Sequence, residues 1–210
     1  QARMGSSRLP GKVLKKVLDS PLLHYQLERL KLSKRLDYVV VATSNRPEDD
    51  AIENFCRDTK THYYRGSEDD VLQRYFESAK HFGADVIVRL TGDCPLIDPL
   101  VVDDLINNYV EEFPKYGYLS NCLERTFPRG MDTEIFSFEC LDRVYRQAVK
   151  DWDKEHVTPY IYQHPKLFSI KSVTQETDQS DYRWTVDTSE DFSLIDKIIT
   201  SLYPENPYFS

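Results

Sequence analysis

Apolar positions in the first half of the chain alternate between two rhythms. Short apolar runs at 38–42 (YVVVA) and 85–90 (DVIVRL) read as buried strands, and 62–65 (HYYR) as a shorter one. Between them the period lengthens to that of a helix. Residues 48–57 and 69–82 follow it, the latter through Val71, Leu72, Tyr75, Phe76, Ala79 and Phe82. Residues 100–113 do the same through Val101, Val102, Leu105, Ile106, Tyr109 and Val110. This strand–helix alternation predicts an α/β domain whose mostly parallel sheet carries helices on both faces.

The second half is less regular. Strands are predicted at 116–120, 132–138, 168–174 and 182–186, and helices at 139–149 and 190–202. The last helix has Phe192, Ile195, Ile198, Ile199 and Leu202 in phase, and Thr188 or Ser189 can cap its start. The C-terminal half therefore reads as an α+β elaboration on an α/β core. With no repeat, low-complexity tract or linker, the 210 residues read as one domain.

Charge narrows the partners. Lys and Arg number 27 against 35 Asp and Glu, a net of −8. That balance argues against a general nucleic-acid or anionic-membrane binder, although a local basic pocket could still take a polyanion. No apolar run approaches the roughly 20 residues of a membrane-spanning helix. The four cysteines (Cys56, Cys94, Cys122 and Cys140) are widely spaced with no C-x-x-C pair, which fits reduced thiols in a cytoplasmic protein.

Three segments carry candidate chemistry. The first, QARMGSSRLPGK (1–12), packs Gly5, Gly11, Ser6 and Ser7 with Arg3, Arg8 and Lys12. Glycines let backbone approach a ligand, N–H groups and serine hydroxyls can cradle phosphate oxygens, and the cations neutralise them. Val13 after Lys12 excludes a Walker A loop. The bland reading is a basic terminus without a partner. The second, RLTGDCPL (89–96), puts Asp93 just past a buried strand, at the sheet edge where open α/β folds bind ligands. The third, RWTVDT (183–188), puts Asp187 in a similar place before a helix. Either aspartate could simply cap a turn or helix. Together, facing a phosphate loop, they could hold Mg²⁺, which takes one or two carboxylates plus substrate phosphates. That set implies phosphoryl or nucleotidyl transfer.

Taken in order, QARMGSSRLPGKVL (1–14), VVATS (40–44), RGSEDDVLQRY (65–75), VRLTGDCPLIDP (88–99), EHVTPYI (155–161) and RWTVDTSEDF (183–192) resemble the spore coat polysaccharide biosynthesis protein F-like branch of the cytidylyltransferases. That family includes the CMP-ketodeoxyoctonate and CMP-sialate synthetases. The resemblance implies a nucleotide-diphospho-sugar transferase fold, a Rossmann-like three-layer α/β/α sandwich. It also implies homodimerisation through an arm in the C-terminal half, and a first strand ahead of Gln1. By resemblance, Arg3, Gly5, Ser6, Arg8 and Lys12 bind the triphosphate of a nucleotide, CTP by default. Arg8 and Lys12 also stabilise the leaving pyrophosphate, and Asp93 and Asp187 hold Mg²⁺. Ser67 and Asp70 lie near the nucleotide, and Arg89 lines the base pocket. Arg74, His156 and Arg183 face the acceptor, a sugar acid or a sugar phosphate. The implied reaction activates that sugar for surface-glycan synthesis.

Other features have plainer readings. Asp151-Trp152-Asp153 spells the D-x-D pattern of metal-dependent glycosyltransferases but sits among charged residues, as on a solvated face. Asp49-Asp50, Asp69-Asp70 and Asp103-Asp104 fall near helix starts, where negative charge suits the helix dipole. Cys94 has no base beside it in sequence and reads as a small buried residue. Two further functions stay open at this point: a glycosyltransferase consuming a nucleotide sugar through the D-x-D motif, and a non-catalytic nucleotide- or sugar-binding module.

Overall fold

A computed structural model describes residues 1–209. A small antiparallel pair, β1 (Lys16–Val17) and β2 (Ser20–Pro21), leads into helix α1 (Leu22–Leu30). Then β3 (Val40–Ser44), α2 (Asp50–Asp58), β4 (His62–Gly66), α3 (Val71–Phe82), β5 (Val86–Arg89) and α4 (Pro99–Glu112) alternate as the apolar pattern predicts. The second half adds β6 (Tyr118–Ser120), β7 (Glu134–Ser137), α5 (Phe138–Gln147), α6 (Asp151–His156), α7 (Pro159–Gln163), β8 (Ile170–Ser172) and α8 (Ser189–Leu202).

The strands form a mixed sheet system. β3 pairs in parallel with β4, Val40 opposite His62 through Ser44 opposite Gly66. A second ladder runs β5-β7-β6-β8, with β7 antiparallel to both neighbours and β8 parallel to β6. Gln1 and Ala2 bridge the two ladders toward the carboxyl ends of β3 and β5. Ala2 N–H donates to the Ala42 carbonyl at 3.1 Å, and Gly92 N–H to the Gln1 carbonyl at 2.7 Å. Below this bridge, a cavity of about 730 Å³ lies between β3 and β5, lined by Val39, Val41, Val86, Val88 and Leu27 among others. The strand that the resemblance places ahead of Gln1 lies outside the described residues.

Alternating side chains give the sheet two apolar faces. Ile87, Tyr118 and Phe136 pack with Leu72 and Tyr75 of α3, Leu141 and Val144 of α5, and Ile161 of α7. Leu119 and Ile135, one residue along, pack with Val102, Leu105 and Tyr109 of α4 on the other face. Val41 packs with Leu23 and Leu27 of α1 and Ile52 of α2. The result is helix–sheet–helix layering. Each such fully buried large side chain stabilises the fold by roughly 1.5–3 kcal/mol.

Two differences from the sequence expectation stand out. Residues 182–186 form no strand; they make one parallel bridge, Arg129 opposite Arg183. Beside that bridge Gly130, at φ +108°, lies in a tight turn closed by Met131 N–H to the Pro128 carbonyl and close against the Trp184–Thr185 backbone, and the ladder does not extend past it. Helix α1 falls in a stretch to which periodicity assigns nothing. Its inner face carries Gln26 and Arg29 as well as leucines, which blurs the apolar repeat. Both polar groups are bonded. Gln26 Nε2 donates to the Thr91 carbonyl at 2.7 Å, and Arg29 Nε to the Ile97 carbonyl at 2.8 Å. Helix α1 thereby grips the loop that carries Asp93 at both ends.

Candidate active site

Asp93 and Asp187 meet beyond the carboxyl end of β5 because backbone ties their loops together. Val186 N–H donates to the Asp93 carbonyl at 2.8 Å. Gly92 lets the Asp93 loop pass close to the N-terminal segment: a Cβ there would sit 2.8 Å from the Gln1 carbonyl oxygen. Asp187 is set by the start of α8. Thr188 caps that helix, accepting from Asp191 N–H, while Asp191 Oδ2 accepts from the N–H groups of Asp187 and Thr188 at 2.9 and 3.0 Å. The capping box that starts the helix thus also aims Asp187.

The glycine-rich segment closes over this pair. Ser6 and Gly11 both donate backbone N–H to the Met4 carbonyl, at 2.9 and 3.0 Å. Met4 N–H donates to buried Asp49, which pins the loop to the end of β3. Gly11, at φ +68°, takes the left-handed turn that launches a short 3₁₀ segment, Lys12–Leu14. That turn delivers Lys12 between the aspartates. Its Nζ lies 3.1 Å from Asp93 Oδ2 and 2.9 Å from Asp187 Oδ1. Arg8 reaches Asp187 Oδ1 at 3.0 Å, and Arg183 reaches Oδ2 at 2.5 Å and Asp191 at 3.3 Å. Thr91 Oγ1 donates to Asp93 Oδ1 at 2.5 Å. Partial burial works against ionisation of Asp187, but Lys12, Arg8 and Arg183 outweigh it and hold the carboxyl below its ordinary value. Cys94 is buried beside Asp93, and that burial pushes its thiol well up, so it stays a protonated packing residue.

The other sequence-predicted residues fall in two further groups. Toward β3 and β4, Arg3 is exposed, Gly5 lies against Glu68, and Ser6 Oγ accepts from Leu9 N–H. Ser67 Oγ accepts from Asp70 N–H, and Asp70 caps α3 by accepting from Gln73 N–H. Arg74 lies against Gly66 and is buried to 1% exposure with no side-chain ion pair among the described residues. Burial lowers its pKa, and neighbouring Arg3 adds to that. Toward β5 and β7, Arg89 is buried against Glu134, and its charge also faces the Tyr75 ring at 5.8 Å. Burial opposes the Arg89 charge, and Glu134 more than compensates. His156 ends α6 with its ring edge-on to Trp152 at 3.8 Å. The next residue, buried Val157, holds φ +74°, ψ −56° while Thr158 N–H donates to the His156 carbonyl. That is a strained γ-turn for a β-branched residue, of a kind that gathers at functional sites.

Sequence reasoning missed Glu134. It accepts from Tyr118 Oη at 2.6 Å and balances Arg89. The signal was present: Glu134 shares a sheet face with buried Phe136, and an acid there requires a partner. It also missed Asp191. The D-x-D motif does not make a metal site. Asp151 is exposed while Asp153 is 1% exposed, since residues two apart on a helix diverge. Among the described residues, no three acidic, histidine or cysteine side chains gather as a metal cage. No helix among them is long and apolar enough to cross a membrane.

The glycine-rich loop thus sets a cation between two carboxylates at one edge of a layered α/β fold. The family model for cytidylyltransferases matches residues 1–208, and the chain belongs to that family of enzymes. It is 37% identical to the spore coat polysaccharide biosynthesis protein SpsF of Bacillus subtilis over 202 residues, 93% of this chain and 82% of that one. It is 29% identical to the 3-deoxy-manno-octulosonate cytidylyltransferase of Chlamydia trachomatis, over 81% of this chain and 68% of that one. A cytidylyltransferase structure from Leptospira borgpetersenii superposes with a TM-score of 0.94 at 38% identity, covering 99% of this chain and 87% of that one. The expected fold and enzyme class are both borne out.

Proposed function

We propose that this enzyme is a Mg²⁺-dependent cytidylyltransferase that joins CTP to a sugar acid or sugar phosphate, releases pyrophosphate and feeds polysaccharide synthesis. The observation that carries this reading is the placement of Lys12 between Asp93 and Asp187 at the sheet edge. The names of the Bacillus and Chlamydia relatives support the polysaccharide and sugar-acid assignments.

The donor set fits the metal. Both carboxylates offer only hard oxygens, and a cation, the Lys12 ammonium, already sits between them. Mg²⁺ takes such a pair together with substrate phosphates. Held by Asp93 and Asp187, it would polarise the α-phosphate under attack. In the reaction an acceptor oxygen bonds the α-phosphorus, and the bond to the β-phosphate oxygen breaks. Lys12 and Arg8 neutralise charge as pyrophosphate leaves, Lys12 as a mobile point charge and Arg8 as a planar fork. The loop from Met4 to Lys12 positions the triphosphate, and positioning with electrostatics carries most of the catalysis. A sugar phosphate attacks already ionised and requires no base.

Four free cysteines support a cytoplasmic setting. Exposed Val149 and Trp152 in the C-terminal half support a homodimer, to be checked by light scattering after gel filtration. The function is tested by pyrophosphate release with Mg²⁺, each nucleoside triphosphate in turn, and a panel of ulosonic acids and sugar 1-phosphates. Release with CTP and one acceptor supports the reading. No release from folded enzyme with any pair opposes it.

A further inference from the structure

We propose that Lys12 is a built-in counter-ion that keeps the metal position closed until a triphosphate draws it away. The inference rests on the nucleotidyl-transfer reading above and adds an order of events to it.

Every carboxylate oxygen at the site is already engaged. Asp93 Oδ1 accepts from Thr91 and Oδ2 pairs with Lys12. Asp187 Oδ1 pairs with Lys12 and Arg8, and Oδ2 with Arg183. Three cations, Lys12, Arg8 and Arg183, face three acids, Asp93, Asp187 and Asp191, so the cluster is neutral before any ligand arrives. The Lys12 and Asp187 side chains are only 14% and 18% exposed, so solvent screens their attraction weakly. A divalent ion arriving alone has to displace the ammonium from between the carboxylates and leave it beside a like charge. It therefore binds weakly.

A triphosphate changes the balance. It brings about four negative charges, and Lys12 can follow them on its flexible stem. Arg8, 62% exposed, can swing with it. Their departure bares Asp93 Oδ2 and Asp187 Oδ1 together, the two oxygens that Lys12 now shares. Metal and triphosphate then assist each other's binding, and by linkage each tightens the other by the same factor. The device gives Lys12 a role before chemistry as well as during it: it prevents an unproductive metal from occupying the site alone.

The test reads metal binding without nucleotide. Mn²⁺ is titrated into the wild-type protein, Lys12→Met, Arg8→Gln and the double variant Lys12→Met/Asp93→Asn, with free Mn²⁺ followed by electron paramagnetic resonance. Lys12→Met is expected to bind Mn²⁺ at least tenfold more tightly than wild type, Arg8→Gln to gain less, and the double variant to lose the gain. Equal or weaker binding by Lys12→Met than by wild type overturns the proposal. If Lys12→Met fails to fold by circular dichroism, Lys12→Gln replaces it, and no gain in either Lys12→Gln or exposed Arg8→Gln also overturns it. Activity is not needed for this readout. A gain in Mn²⁺ affinity alongside no pyrophosphate release from wild type upholds the counter-ion role and counts against nucleotidyl transfer.

Discussion

Val186 donates its backbone N–H to the carbonyl of Asp93 at 2.8 Å, which places two acidic loops, 94 residues apart in sequence (93 to 187), side by side. Side chains alone would not fix that juxtaposition, because the Asp93 loop follows β5 while the Asp187 loop precedes α8. With the loops locked, the carboxylates share one lysine, and the electrostatics of the site follow.

The first consequence concerns pH. The Asp187 carboxyl is held below its ordinary value of 3.8 in the folded protein. A depressed carboxylate pKa means that the unfolded chain binds the extra proton first, so ionised Asp187 adds stability at neutral pH. That contribution is complete above about pH 4 and fades as pH falls through the folded-state value. Urea denaturation of wild type and Asp187→Asn should show a stability gap at pH 7 that narrows below pH 4. A gap that stays constant down to pH 2 would contradict the ion pairing.

Thr188 should matter to both the helix and the site. Replacing it with Ala removes the hydroxyl that accepts from Asp191 N–H and should cost about 1 kcal/mol. Thr188→Ser should restore most of it. Thermal melts give the stability, and a fall in turnover of Thr188→Ala larger than its fall in stability explains would show that the cap also aims Asp187.

Arg89 and Glu134 form a pair at 12% and 10% side-chain exposure. Removing one partner strands the other. Arg89→Met should therefore destabilise the fold by about 3–5 kcal/mol, measured by chemical denaturation. Arg89→Met/Glu134→Leu should recover much of that loss, since the double change leaves no bare charge. Loss in the double variant equal to or exceeding that in the single would refute the pairing.

Gly92 packs against backbone rather than against a flexible side chain. Gly92→Ala should lower stability by roughly 1–3 kcal/mol and displace the Asp93 loop. Gly83, at φ +64° with open space around its Cβ position, provides the contrast. Gly83→Ala should cost about 1 kcal/mol through backbone strain alone and leave turnover unchanged.

Much of this arrangement was legible in the sequence. Helices α3, α4 and α8 announce themselves by period, because each buries one apolar face, and strands β3 and β5 by short apolar runs. The Asp93, Asp187 and Lys12 segments stand out by composition. What periodicity could not supply is pairing. Nothing in residues 182–186 shows that the opposite segment makes a tight turn at Gly130 and that the pairing is limited to one bridge. Helix α1 was hidden because Gln26 and Arg29 on its inner face bond distant carbonyls, contacts with no local signature. The same applies to Lys12. Sequence assigns it to phosphate and the aspartates to metal, whereas the fold joins all three in one ion cluster.

The central claim is that Asp93, Asp187 and Lys12 together run nucleotidyl transfer. The most direct test compares pyrophosphate release from CTP, with Mg²⁺ and the preferred acceptor, by wild type and Asp93→Asn, each shown to be folded. The account predicts that wild type releases pyrophosphate and that Asp93→Asn loses at least 10²–10³-fold in rate with its melting temperature nearly intact. Turnover by Asp93→Asn within a few fold of wild type would contradict it.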